Sequence, residues 1–156
     1  MLNIIEKFYT AFSNLDGDAM AACYDRDVVF HDPAFGELKG EHAGNMWRML
    51  CASQKDKGFK VEATNIQLQD HSGSAHWEAW YTFSQTGRGV HNVIEASFEI
   101  KDGKIIRHVD DFDLYRWSRQ AMGVTGFLIG WTGFFKNKLQ KQTNNMLSKW
   151  EARHTS

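Results

Sequence analysis

Residues 24–40 read YDRDVVFHDPAFGELKG, and the alternation inside this run decides what kind of fold the chain builds. Period-two geometry puts Val28, Phe30 and Asp32 on one face of a strand, with Val29 and His31 on the other. Two apolar side chains and one acid therefore share a surface. A carboxylate on a buried face has to be paired, hydrogen-bonded or protonated, because bare burial raises its pKa by up to ~3–5 units. Asp32 is thus a candidate general base. Asp-Pro also caps strands and starts turns, the Asp oxygen accepting from nearby backbone, and the residues alone leave both roles open.

The surrounding chain has 156 residues, 42% of them hydrophobic and 13% aromatic, enough for one domain that buries about two-thirds of its unfolded surface. A formal net charge of −1 and the lack of a long basic run argue against a nucleic-acid partner. Cys23 and Cys51 are the two cysteines; they form no CxxC pair and have no His or Asp motif around them, so they read as packing residues. The first residues, MLNIIEKFYTAF, form an amphipathic helix pattern and not a secretory leader. A reducing, cytoplasmic setting is the expectation.

Leu2, Ile5, Phe8 or Tyr9, and Phe12 predict a first helix over residues 2–14. A short second helix follows from Ala19 to Tyr24, with Asp16-Gly17-Asp18 as turn and cap. The strand ending at Asp32 comes next, then a loop from Pro33 to Lys39. A third helix opens at Gly40-Glu41 and stops near Lys57-Gly58. Four strands then run over about 59–69, 74–85, 90–101 and 104–114, the last two joined by the Lys101-Asp102-Gly103 hairpin. The order is α+β, with helices on one side of a curved antiparallel sheet.

Alternation assigns the faces of the last three strands. Trp77, Ala79, Tyr81 and Phe83 form one inward row; Asn92, Ile94, Ala96, Phe98 and Ile100 form the next. In the last strand Phe112 is set inward, which brings Ile106, His108 and Asp110 with it. The opposite face carries His76, Trp80 and Val93 and is expected to be covered.

With this order and the 24–40 run, the chain resembles the nuclear transport factor 2-like superfamily, the cone-shaped fold of ketosteroid isomerases, limonene-epoxide hydrolases and SnoaL-like polyketide cyclases. The likeness spans about residues 1–115. It rests on the acid-Pro turn Asp32-Pro33-Ala34-Phe35-Gly36 and on DGKIIRHVDDFDLYRW at residues 102–117. It implies that Asp32 stands at the general-base position of ketosteroid isomerases. That family's oxyanion donors fall on Phe8 and on Ala96 or Glu95, which argues against that reaction; the apolar alternation favours Ala96. Asp110 is similar in position to an acid of epoxide hydrolases, but the preceding strand, HNVIEASFEI, lacks the Arg those enzymes use. The SnoaL-like cyclases use a last-strand Asp, which Asp110 with His108 would supply, and the resemblance further implies a homodimer formed through the face of His76, Trp80 and Val93.

The candidate catalytic set is therefore Asp32, His108 and Asp110, the last two being i, i+2 neighbours able to tune each other's charge. Phe8, Tyr9, Trp47, Trp77, Tyr81, Asn92 and Phe112 are the candidate pocket residues. No HxH or HExxH spacing occurs, so no metal is expected, and no cofactor is called for. Residues 116–156 read as a helical extension of the same domain. Its apolar run Gly126–Phe135 is shorter than the about 20 residues that span a bilayer. A lid or dimer contact is favoured there over a membrane surface, and a helix from about 136 to 150 carries four Lys. The reading is a small apolar-ligand pocket protein, acting as a cofactor-free SnoaL-like isomerase, cyclase or lyase; the alternative is a non-catalytic binding or dimeric assembly module of the same fold.

Overall fold

The structure is a computed structural model and describes residues 1–154; the last two residues of the expected C-terminal extension lie outside them. Helix α1 (Ile4–Ser13) begins at a capping box in which the Asn3 side chain accepts from the Glu6 N–H and the Glu6 carboxylate accepts from the Asn3 N–H, both at 2.9 Å. Asp16 caps α2 (Gly17–Ala22) through its bond from the Ala19 N–H. Strands β1 (Tyr24–Asp32) and β2 (Gly36–Lys39), helix α3 (Glu41–Gln54) and strands β3 (Lys60–Gln69), β4 (Ser72–Phe83), β5 (Arg88–Lys101) and β6 (Lys104–Asp111) follow. Three helices close the chain: α4 (Leu114–Met122), capped by Asp113, α5 (Val124–Ile129) and α6 (Gly133–His154).

The six strands form one curved sheet in the order β2-β1-β6-β5-β4-β3. Every pairing is antiparallel except β1 with β6, which run parallel. That parallel pair is what inserts the N-terminal strand beside the end of the meander, and it fixes the register Phe30 to His108 and His31 to Val109.

Four local expectations are corrected. Residues 36–39 are not loop: Gly36, at φ +75, turns the chain back so that β2 pairs with the end of β1. Tyr24 belongs to β1 and not to α2. The last helix is longer than 136–150 at both ends. In β6, Ile105 and not Ile106 faces inward, because β6 bulges there: Arg107 and Ile105 pair with the consecutive Glu99 and Ile100 of β5, leaving Ile106 as the extra residue that shifts the alternation before His108. The faces predicted for β4 and β5 stand as read: Trp77, Ala79, Ile94, Ala96, Phe98 and Ile100 are buried, while Glu95 is exposed.

The main core lies between the sheet and helices α1–α3. Phe8, with no exposed surface, meets Tyr9, Tyr24, Trp47, Phe98 and His108 at ring separations of 5.3 to 6.5 Å. A second, smaller cluster joins Val90 of the sheet to Trp117 and Ala121 of α4 and Phe135 and Leu139 of α6, so the C-terminal helices pack on the same domain. Because Phe8 contacts five rings at once, truncating it leaves a void that none of them can fill alone. Phe8→Ala is expected to cost about 3–5 kcal/mol, read as the change in unfolding free energy by urea titration.

Candidate functional site

A cavity of about 940 Å³ opens between the concave side of the sheet, α3 and the C-terminal helices. Trp47, Trp77, Tyr81, Phe112, Phe35 and Met46 supply much of its wall, so it is predominantly apolar. Two carboxylates reach it, Asp32 from the end of β1 and Asp110 from the end of β6. Each lies one residue beyond the last paired position, His31 to Val109, of the parallel β1–β6 ladder. Neighbouring strands run about 4.8 Å apart, so the register delivers two acids to one wall.

Asp110 is 2% exposed and is held from behind. Its Oδ1 takes the Trp77 Nε1–H at 3.2 Å and His108 Nε2 at 2.8 Å. His108 is fully buried, and its Nδ1 meets the Tyr24 hydroxyl at 2.8 Å. That hydroxyl accepts the Trp47 Nε1–H, also at 2.8 Å. Burial pushes the Tyr24 pKa well above its ordinary value, opposed by the Trp47 bond, with Asp110 adding to the rise. Tyr24 thus keeps its proton. Already accepting from Trp47, the hydroxyl has its own proton to place toward His108 Nδ1, an arrangement in which the Nε2–H donates to Asp110. All donors converge on Oδ1, and among the described residues none is given to Oδ2.

Asp32 is built differently. Its Oδ1 accepts the backbone N–H groups of Ala34 at 2.9 Å and Phe35 at 2.6 Å, closing the turn that Pro33 begins. Burial pushes its pKa up to about 7; the Phe35 N–H works against this, and the charge of Asp110 adds to it. Helix α6 fixes the same turn from outside: Gln140 Nε2 donates to Pro33 O, Thr143 Oγ1 to Ala34 O and Asn144 Nδ2 to Phe35 O. The turn-making reading of Asp-Pro thus holds for one carboxyl oxygen, and the residue also lines the cavity.

Of the candidate pocket residues, Trp47, Trp77, Tyr81, Asn92 and Phe112 line the cavity. Phe8 and Tyr9 do not: they are core residues, 0% and 4% exposed, packed under the sheet beside His108 and Phe98. Only Phe12, one turn further along α1, reaches the space. His108 likewise sits behind Asp110 and not on the wall. Ala96, also buried, pairs with Asp110 in the β5–β6 ladder, so the position that would carry a second donor offers a methyl group.

Tyr24, Trp117 and the whole α6 wall were not legible as site residues. Trp117 donates through Nε1 to the Tyr81 hydroxyl at 2.8 Å, and burial pushes that phenol up to about 12. Phe135, Leu139, Thr143 and Met146 of α6 complete the far wall. Cys23 and Cys51 are buried and free, the latter pushed by burial to about 11, and both act as packing groups. Among the described residues no three His, Cys, Asp or Glu side chains group as metal ligands would.

The profile of the SnoaL-like domain family matches residues 5–108, and the chain belongs to that family. No curated protein matches the sequence. Among solved structures it is similar to an LEH-like epoxide hydrolase of M. tuberculosis, at 22% identity and a TM-score of 0.60, covering 80% of this chain and 92% of that one. It is also similar to a proposed polyketide cyclase from Xanthomonas campestris pv. campestris, at 21% identity and a TM-score of 0.60 over 75% and 93% of the two chains. A protein of ketosteroid isomerase-like fold from Catenulispora acidiphila, in complex with trimethylamine, aligns at 12% identity with a TM-score of 0.62 over 76% and 91%. These likenesses establish the cone-shaped α+β fold.

Two outcomes follow from the geometry. Tyr24→Phe strips the partner from the Trp47 N–H and from His108 Nδ1, and is expected to cost about 1–3 kcal/mol in urea unfolding while leaving the fold intact. Asp32 binds its proton more tightly folded than unfolded, so stability should fall as pH rises from about 4 to about 7, by up to about 4 kcal/mol. Asp32→Asn keeps the acceptor for both turn N–H groups and removes the titration. Its unfolding free energy, measured across that range, should lack the decline seen for the parent.

Proposed function

We propose that the chain is a cofactor-free acid–base enzyme of SnoaL-like type, an isomerase, cyclase or lyase acting on a small, largely apolar carbonyl compound. The observation that carries this reading is the pair of unlike carboxyls on one apolar cavity. Asp110 receives two ring N–H donors on one oxygen and has its other oxygen free to accept a proton from the cavity side. Asp32, with a pKa of about 7, retains a proton near neutrality. Two carboxyls in such unlike surroundings divide the roles of base and acid between them.

In the proposed step Asp110 Oδ2 takes a proton from the carbon next to the substrate carbonyl. The electron pair moves to the carbonyl oxygen, which Asp32 hydrogen-bonds or protonates, giving an enol. Return of the Asp110 proton to a different carbon, with Asp32 taking back the proton it gave to oxygen, isomerises the substrate; attack of the enol carbon on a second carbonyl of the same molecule closes a ring, Asp32 recovering the enol proton and Asp110 protonating the new alkoxide. His108 touches no substrate and acts as a positioning residue through its bond to Asp110. The absence of further donors at Phe8 and Ala96 makes Asp32 the main stabiliser of developing oxygen charge, which distinguishes the site from that of a ketosteroid isomerase.

A panel of apolar ketones and polyketide-like diketones tests this by thermal stabilisation and by exchange of the carbon-bound hydrogen for deuterium. Asp110→Asn is expected to lower the exchange rate by about 10²–10⁴-fold with ligand-induced stabilisation retained. Asp32→Asn should lower it as well and abolish the fall in kcat/KM expected above about pH 7. Stabilisation by these compounds without exchange at any pH would instead favour a binding module. Loss of folding in both variants would mark the carboxylates as structural.

A further inference from the structure

The residues around α5 are folded inside out. Val124, Phe127, Leu128 and Trp131 recur at i, i+3, i+4 and i+7, the spacing of a core-facing stripe, yet they are 75%, 58%, 61% and 71% exposed. Phe134, 73% exposed, extends the patch. The face turned inward carries glycine. Gly126 and Gly130 are buried against Ser118 of α4, where a Cβ on either would fall on the Ser118 carbonyl or hydroxyl. The Tyr115 hydroxyl donates to Phe127 O at 2.9 Å and the Ser118 hydroxyl approaches Gly126 O at 3.4 Å, which locks this orientation. The large apolar side chains are thus held outward by packing and hydrogen bonds. A patch so built calls for a cover.

Charge selects the cover. Residues 114–150 hold six of the chain's 18 Lys and Arg, namely Arg116, Arg119, Lys136, Lys138, Lys141 and Lys149, and none of its 19 Asp and Glu, leaving 12 cations against 19 anions elsewhere. A second copy meeting the patch about a two-fold axis would set these cations against themselves. An anionic lipid surface satisfies both features, accepting Phe and Trp at headgroup depth beside Lys. Among the described residues no helix is long and apolar enough to cross a membrane. We infer that α5 and the start of α6 form a docking surface for an anionic lipid bilayer. The sequence alone ranks this below a lid or dimer contact; exposure and charge separation reverse the order.

The inner side of the same segment frames the cavity mouth. Thr125 and Ile129 of α5 and Lys138, Lys141 and Gln142 of α6 line its rim. A docked molecule therefore turns the mouth toward lipid, and the ligand is a lipophile drawn from the bilayer, a clause that rests on the pocket reading above. The test is flotation of the full chain with phosphatidylcholine vesicles, with and without phosphatidylglycerol, alongside binding of the naphthyl ketone prodan without vesicles. Association should rise roughly tenfold with phosphatidylglycerol and fall with added salt. Phe127→Ser/Trp131→Ser and Arg119→Glu/Lys136→Glu, all at exposed positions off the cavity wall, should each abolish it while prodan binding persists. No flotation with prodan binding intact overturns the docking surface. So does a stable dimer that the Phe127→Ser/Trp131→Ser variant converts to monomer, which would assign the patch to a second copy. Flotation sensitive to both variants but without prodan binding upholds the docking surface and removes the pocket reading.

Discussion

The hydrogen-bond chain from Trp47 through Tyr24 and His108 to Asp110 is the constraint on which the rest of the site depends. It crosses the core from α3 to β6, and every donor in it is used once. A carboxylate 2% exposed at the floor of an apolar cavity is costly unless hydrogen-bonded. The chain satisfies that cost on one oxygen and leaves the other toward the cavity. His108 is stacked on Phe98 at 4.3 Å and on Trp47 at 6.1 Å, so its ring cannot rotate without disturbing the core. The packing of the domain and the orientation of its inner acid are therefore one arrangement.

The parallel β1–β6 ladder adds the second acid. Had β1 paired elsewhere, Asp32 would cap a turn and nothing more. Placed one position past His31, it shares a wall with Asp110, and their mutual repulsion joins burial in holding a proton on the more weakly stabilised member. Two backbone N–H bonds serve Asp32, whereas Asp110 receives two side-chain N–H bonds from rings fixed in the core. The unequal environments divide the pair.

Strand alternation made most of this visible before any coordinates. The inward faces of β4 and β5, the sharing of a face by Val28, Phe30 and Asp32, and the set His108, Asp110 and Phe112 all follow from period two. Ile106 was placed wrongly because a bulge changes phase without any sequence mark. Tyr24 was hidden for a related reason: β1 slips register between Tyr24 and Val29, and the polar Asp25-Arg26-Asp27 between them reads as a turn. Phe8 and Tyr9 have the helical spacing of wall residues and of core residues alike, and only the depth of α1 beneath the sheet separates the two. The α6 wall has no local signal at all, since a helix with Leu139 and Leu147 buried amid Lys, Gln and Asn shows no strong stripe.

That last helix ties the outer surface to the chemistry. Gln140, Thr143 and Asn144 hold the carbonyls of Pro33, Ala34 and Phe35, and the N–H groups of Ala34 and Phe35 hold Asp32 Oδ1. The middle of α6 is thus bonded to the turn that holds Asp32, while its first turn follows Trp131 and carries Phe134. A displacement of α6 at the cavity mouth changes the donors around Asp32, because the peptide groups that accept from α6 belong to the same two-residue stretch that donates to the carboxylate. On the proposed function, the helix that frames the cavity and the proton on Asp32 therefore share one short stretch of backbone, residues 33–35.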